Sequence, residues 1–296
     1  MASKRTPLRN RIELTAYRVF HGLFRILPLR VADGLGRRTG LLYRLVDRRR
    51  RRLVTTNLAL AFPEKSPAEI DRLARQVFLH LGSLAADLFR SETEPAERLL
   101  SRVEIVGLEH ARAAAESGRG VFFSTPHLGN WEWAALATGA LGFPVTIVAR
   151  PLDNPLLDAR LTAMREKAGC RIVSKRDAAR TLLRTLRAGG MVGILADQRA
   201  RPPDGIAVPF FGRPALTTTS IARLAGKTGA LFLPVVCLRT APGRYRLVYS
   251  EPLDVMAMPP EERGVEQLTA LVTALVEKQV RTAPEQWLWL HDRWRS

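Results

Sequence analysis

Apolar residues recur at Ile12, Ala16, Val19, Phe20, Leu23, Phe24 and Leu27, with arginines between them. A spacing of three to four puts these side chains on one face and predicts an amphipathic helix. A second basic helix is predicted over 48–62, ending at the Phe62-Pro63 step. Ser66-Pro67-Ala68-Glu69 reads as a helix start, with Ser66 as N-cap, Pro67 at N1 and Glu69 at N3, and the helix should run to about Arg90. Residues 92–97 form a polar break. Beyond it the rhythm changes. Strands are expected at 103–106, 120–125, 144–149, 171–173 and 191–196, alternating with helices at 109–117, 131–141, 155–168 and 177–188. Gly118, Gly169 and Gly189-Gly190 fall where helix C-caps belong. A long Pro- and Gly-rich loop, 197–216, is followed by a helix at 217–227, strands at 231–239 and 244–250, and a helix at 262–281. The βαβα alternation predicts an α/β fold with a mixed, largely parallel sheet covered by helices. Two units follow from this reading, a basic helical segment 1–94 and an α/β body 95–296, either separate or one continuous domain.

Composition sharpens the picture mainly through charge. The 296 residues suffice for one large α/β domain or two small ones, and 46% hydrophobic with 25% charged residues is ordinary for a globular chain. The net charge is +18, and residues 1–60 hold fifteen Lys and Arg against Glu13, Asp33 and Asp47, a net +12. With its apolar face, the first helix suits an anionic membrane interface. A nucleic-acid-binding arm is the alternative, set aside because Tyr17, Phe20 and Phe24 share that face. No spanning helix is expected: Arg18, Arg25 and Arg30 interrupt the N-terminal run, and Gly142-Phe143-Pro144 breaks the uncharged stretch 133–149. No secretory signal is expected either. Two distant cysteines, Cys170 and Cys237, and five dispersed histidines fit a reduced compartment and no metal site.

The candidate chemistry centres on Val121–Trp133. A buried strand ends at Pro126, and Asn130 can cap a helix from Trp131, which leaves His127 in the turn and Glu132 in the first helical turn. Within one helix this His-x4-Glu pair would lie about 140° apart. The break lets the carboxylate fold onto the imidazole and fix it as a base. An ordinary structural His beside a dipole-complementing Glu is the plainer alternative. Asp197 lies at the carboxyl end of a predicted strand, where open α/β sheets bind ligands, though a turn-forming Asp would look the same. Arg150, at another strand end, and Arg165 are candidates for a phosphate or an oxyanion, or are solvated surface charges. Phe210 and Phe211, in the long loop, either line an acyl groove or plug the core. Thr217-Thr218-Thr219 could present hydroxyls to a phosphate or simply cap a helix. Ala225-Gly226-Lys227-Thr228 is no P-loop, since residue 221 is Ile, and there is no Gly-x-Ser-x-Gly elbow.

Pro126-His127-Leu128-Gly129-Asn130-Trp131-Glu132 resembles the His-x4-Asp/Glu box of glycerolipid acyltransferases, and more specifically the bacterial lipid A biosynthesis (lauroyl/myristoyl) acyltransferase family. Further blocks match in order: Asn57–Pro63, Arg150–Asp158, Ala196-Asp197-Gln198, Val208–Gly212 and the tail Trp287–His291. They cover the chain from about residue 15 onward. The resemblance implies a glycerolipid-acyltransferase-like fold and an O-acyltransferase without cofactor. It would use acyl carrier protein or coenzyme A thioesters and a lipid acceptor, such as a lipid A precursor, a lysophospholipid or a mannosylated phosphatidylinositol. His127, Glu132 and Asp197 would be catalytic; Arg150, Arg165, Asn130, Gln198, Phe210 and Phe211 would bind substrate. The place implied is the cytoplasmic face of the bacterial inner membrane, peripheral or monotopic, with no nucleic acid. The alternative of another class is a non-enzymatic basic binding protein.

Overall fold

The computed structural model of the chain describes residues 6–174, 178–195, 197–202 and 204–295. Lys4, Arg5, Asp177 at the start of an expected helix and Ala196 at the end of an expected strand lie outside them. Four helices come first: α1 Pro7–Ile26, α2 Leu29–Val46, α3 Arg48–Ala61 and α4 Pro67–Ser91. The start of α4 has the expected capping box, Ser66 and Glu69 satisfying each other's backbone N–H groups. No element was expected over 29–46, where α2 lies, set off from α1 by Pro28. The face of α2 toward α4 carries Gly36 and Gly40 beside Ala32 and Asp33. A Cβ on Gly40 would lie 2.0 Å from the Phe78 carbonyl oxygen, and one on Gly82 would lie 2.0 Å from that of Gly36. The two backbones therefore touch, and any side chain at Gly40 would force the helices apart. At the end of the polar break, α5 spans Ala96–Leu100.

The body alternates as expected through β1 Val103–Val106, α6 Leu108–Glu116, β2 Val121–Ser124, α7 Trp131–Ala140, β3 Val145–Ala149, α8 Pro155–Lys167, β4 Arg171–Ser174, α9 Ala178–Arg187 and β5 Met191–Ile194. Residues 197–216, expected as a loop, hold a hairpin instead: β6 Gly205–Phe210 and β7 Arg213–Thr218, paired antiparallel. Phe211 and Gly212 make its two-residue turn at φ 52° and 70°, the left-handed geometry that matches strand twist. Pro209 faces Pro214 across the pair, and these two prolines mask the strand signal in the sequence. The helix expected from 217 accordingly begins later, as α10 Ser220–Thr228. β8 Leu231–Ala241, β9 Arg244–Tyr249 and α11 Val265–Thr282 complete the chain.

The seven-stranded sheet has the order β1-β9-β8-β2-β5-β3-β4. Every pairing in it is parallel except β8 with β9, so the sheet is mixed and largely parallel. β2 is central and buried throughout. One apolar cluster joins Val54, Leu58 and Phe78 of α3 and α4 to Leu128, Phe210, Trp287 and Trp289. Arg239 of β8 further ties α2 and α4 to the sheet, reaching Asp33 at 2.8 Å and Asp87 at 3.2 Å in a largely buried network.

Candidate active site

Strand β2 delivers the chain to the carboxyl edge of the sheet, and the six residues from Thr125 to Asn130 return it into α7. This turn is held from all sides. Leu128 is fully buried. Gly129 N–H donates to the Gln286 carbonyl at 3.1 Å, and Asn130 N–H to that of Cys237 at 2.8 Å. Gly129 sits at φ 63°, and a Cβ there would meet the Cys237 oxygen at 2.1 Å, so only glycine lets the turn lie this close to β8. His80 of α4, buried, bonds the Gly129 carbonyl through Nε2 at 3.3 Å.

His127 projects from this turn toward Asp197. Its Nδ1 lies 2.7 Å from Asp197 Oδ1, and its backbone N–H donates to Oδ2 at 2.8 Å. Trp287 adds a third donor, Nε1 to Oδ2 at 2.7 Å. The Asp197 side chain is 1% exposed. Burial pushes the carboxyl pKa up, but the His127 charge and these three bonds more than offset it and hold the group low. Burial likewise pushes the imidazole down, while the Asp197 charge and bond, helped by Glu132, carry its pKa above the ordinary value. Nδ1 is taken by Asp197; the other ring nitrogen, Nε2, is faced by the Gln198 side-chain nitrogen at 3.3 Å. The Trp131 ring packs edge-on against the imidazole, centroids 5.1 Å apart.

Glu132 is not the group on Nδ1. It forms a two-pronged ion pair with Arg165 of α8, Nε to Oε2 at 2.9 Å and Nη2 to Oε1 at 2.6 Å. Beside it lies a cleft with about 570 Å³ of empty space. Thr125, Trp131, Glu132 and Arg165 supply its polar wall; Phe123, Ala134, Ala135, Val145, Ile147 and Val235 are among its apolar lining.

The other expected site residues fare differently. Gln198 and Arg165 join the cluster. Asn130 is fully buried and serves as the N-cap of α7, its Oδ1 accepting from Trp133 N–H at 3.1 Å, so it lies beneath the site and not in it. Phe210 and Phe211 are core residues: Phe210 packs on Trp287 and Trp294, and Phe211 on Phe62 and Trp289. They belong to the core cluster of α3, α4 and the tail. Arg150 is 85% exposed near Asp153, a solvated charge. Thr217 is buried and accepts from Arg293, while Thr219 stands at the N-cap of α10 with its hydroxyl turned to the Asp204 carbonyl and to Arg223. Trp287 and Gln286 carried no expected role, although the tail that contains Trp287 stood out in the sequence.

The support from His80 has a pH signature. Burial holds its pKa down at about 4 in the native fold, whereas the unfolded imidazole keeps the ordinary value near 6.5. As pH falls through that interval the unfolded chain takes up the proton first, so native stability is expected to drop, by roughly 3 kcal/mol at most. Thermal melts of wild type and His80→Gln across this range check it; an equal slope in both would remove His80 as the cause.

The family described as bacterial lipid A biosynthesis acyltransferase matches residues 4–296. The chain belongs to that family. Among acyltransferases of this group, the lipid A biosynthesis lauroyltransferase of Escherichia coli K12 is 30% identical over 91% of this chain and 87% of its own length. The palmitoleoyltransferase of the same organism is 27% identical over 91% and 87%. A phosphatidylinositol mannoside acyltransferase of Mycolicibacterium smegmatis is 27% identical over 78% and 75%. The family makes this chain an acyltransferase, and the ordered blocks around His127 and Asp197 are part of that match.

Proposed function

We propose that the chain moves a fatty acyl group from a thioester of acyl carrier protein or coenzyme A to a hydroxyl of a membrane lipid, a lipid A precursor by the names of its relatives. The observation that supports this best is the buried Asp197 on Nδ1 of His127, which leaves Nε2 to act as a base, with Trp131 linking the imidazole to the apolar cleft it lines. In this reading Nε2 removes the proton of the acceptor hydroxyl, and the oxygen attacks the thioester carbonyl. The tetrahedral intermediate collapses with loss of the C–S bond, and the thiol leaves with the proton from the imidazolium. Gln198, whose amide already reaches Nε2, is placed to donate to the oxyanion. Glu132 with Arg165 braces the cleft that would take the acyl chain. Direct attack fits the cysteines: both are buried, burial pushes Cys170 up to about 11 and Cys237 higher, and neither is a ready thiolate.

The lipid acceptor asks for a membrane-facing surface. Leu8, Ile12, Val19, Leu23 and Ile26 are exposed on α1, while Tyr17 and Phe24 face α4 through Phe89. Among the described residues no helix is long and apolar enough to cross a membrane. We therefore assign α1 to the anionic interface, on the cytoplasmic face of the inner membrane, with arginines contributing about 1 kcal/mol each and the apolar side chains a salt-insensitive remainder.

Two measurements test this. Purified protein with acyl thioester and detergent-dispersed lipid should release free thiol only when the acceptor is present. In flotation with anionic vesicles, high salt should loosen the protein in part and detergent should free it. No acceptor-dependent thiol would overturn the proposed donor and acceptor classes, and release by salt alone would mean that α1 does not insert. A phosphatidylinositol mannoside acceptor, suggested by the mycobacterial relative, is a second arm of the same assay.

A further inference from the structure

The tail Trp287–His291 and the Asn57 block are two sequence features with no part in the chemistry above, and the fold joins them. The segment 286–288 lies against the His127 turn as a strap. Gln286 accepts from Gly129 N–H, and Leu288 N–H donates to the His127 carbonyl at 3.0 Å, so the turn is bonded to it on both sides of Leu128. Asn57 of α3, 1% exposed, holds the next stretch with one side-chain nitrogen, reaching the Trp289 carbonyl at 3.0 Å and that of His291 at 2.8 Å. Trp287 itself is 2% exposed.

Packing alone would not need this residue's N–H. Its ring stands perpendicular to Trp289 at 4.5 Å and meets Phe210 at 5.6 Å, contacts that a phenyl ring could share. A buried indole N–H requires an acceptor, and those of Trp133, Trp289 and Trp294 find a serine hydroxyl and two backbone carbonyls. That of Trp287 goes to the Asp197 carboxylate, which holds His127. A bond to an ionised acceptor in a dry site is stronger and more directional than one to a carbonyl. It fixes the rotation of a group whose other oxygen must stay on Nδ1.

We infer that Trp287 is a positioning residue of the acyl transfer: its indole N–H, carried on the strap, holds Asp197 so that His127 keeps its proton on Nδ1 and its lone pair on Nε2. This rests on the reading of His127 as the base. Besides Asp197, the groups around the imidazole are Glu132 from α7, Gln198 on the following residue, and His291 and Arg293 from the tail, whose charges reach Asp197. Oδ2 also accepts from the His127 backbone N–H, and the indole is the side-chain donor that completes its pair of bonds.

The test is Trp287→Phe, which keeps a ring and removes the donor. The kcat of thioester-dependent transfer should fall about ten- to a hundred-fold, as a misaligned catalytic group does, while KM for both substrates stays within about two-fold of wild type. The acidic limb of the kcat profile should move to higher pH. Without the indole, the carboxylate in the deprotonated pair is less compensated, and a proton taken up by either partner relieves it. Trp287→Tyr, which returns a donor on an aromatic ring, should recover part of the loss. A folded Trp287→Phe protein with native kcat and an unmoved limb would overturn the inference. So would a lower kcat with an unmoved limb, which is the mark of looser packing alone. If Trp287→Phe does not fold, the indole N–H resonance of Trp287 in the wild-type protein decides: it should titrate with the acidic limb, and indifference to pH overturns the inference. His127→Ala is run alongside. Should it retain transfer, the reading of the base falls; should it be inactive while Trp287→Phe is native, only the role of Trp287 falls.

Discussion

Replacing His127 by alanine is expected to lower acyl transfer by about 10²–10⁴-fold, the range that a general base supplies. The side chain is a poor candidate for a merely structural residue. Its turn is fixed by backbone bonds to β8 and to the strap, and by the buried Leu128, none of which uses the imidazole. The fold should therefore survive the change, and a melt close to wild type would confirm that the loss is chemical. The same assignment fixes a pH dependence. Since the Asp197 charge carries the imidazole above its ordinary value, the neutral, basic form is reached only above about pH 6.5. Transfer by the wild type should rise through an inflection above that value, and His127→Ala should have no such inflection. Native turnover in the alanine variant would end the mechanism.

Asp197→Asn is expected to be nearly as damaging, about 10⁴-fold, the cost of presenting an imidazole in the wrong tautomer. An amide facing Nδ1 can donate where the carboxylate could only accept, which moves the ring proton to Nε2 and removes the base. Glu132→Gln should cost far less, about 10–10²-fold, because Glu132 spends its charge on Arg165 and acts on the position of the cleft wall. The two variants therefore separate the two carboxylates of the site. Equal losses would mean that Glu132 leaves Arg165 and reaches the imidazole during turnover.

Much of this was legible in the residue pattern, and the exceptions have physical causes. Ser66, Pro67 and Glu69 announce α4 because capping is local chemistry, complete within four residues. The βαβ alternation is legible for the same reason. The His127 turn was placed correctly, but its imidazole was paired first with Glu132, and Asp197 entered only as a second partner through the family resemblance. Sequence proximity favoured Glu132, five residues on, whereas Asp197 arrives 70 residues later on β5's edge of the sheet. Only the pairing of β2 with β5 brings it there, and no spacing encodes that pairing. The β6–β7 hairpin was hidden by prolines and threonines that read as loop, although Val208, Phe210, Ala215 and Thr217 do alternate inward. Phe210 and Phe211 then looked like groove residues only because the strand that buries them was unseen. Trp287 stood in a conspicuous aromatic tail, yet a tail full of tryptophan says core before it says hydrogen-bond donor.

The bonds that build the site also say when it can exist. His127 and Asp197 are 70 residues apart, Trp287 and Asp197 90, Asn57 and Trp289 232. Each closes a long loop whose entropy is lost before the contact is gained, and such contacts form late. The helices α1 to α4 are short-range and can return early. After dilution from denaturant, helical signal should therefore recover ahead of transfer activity. Turnover, more than ellipticity, reports that the whole topology has closed.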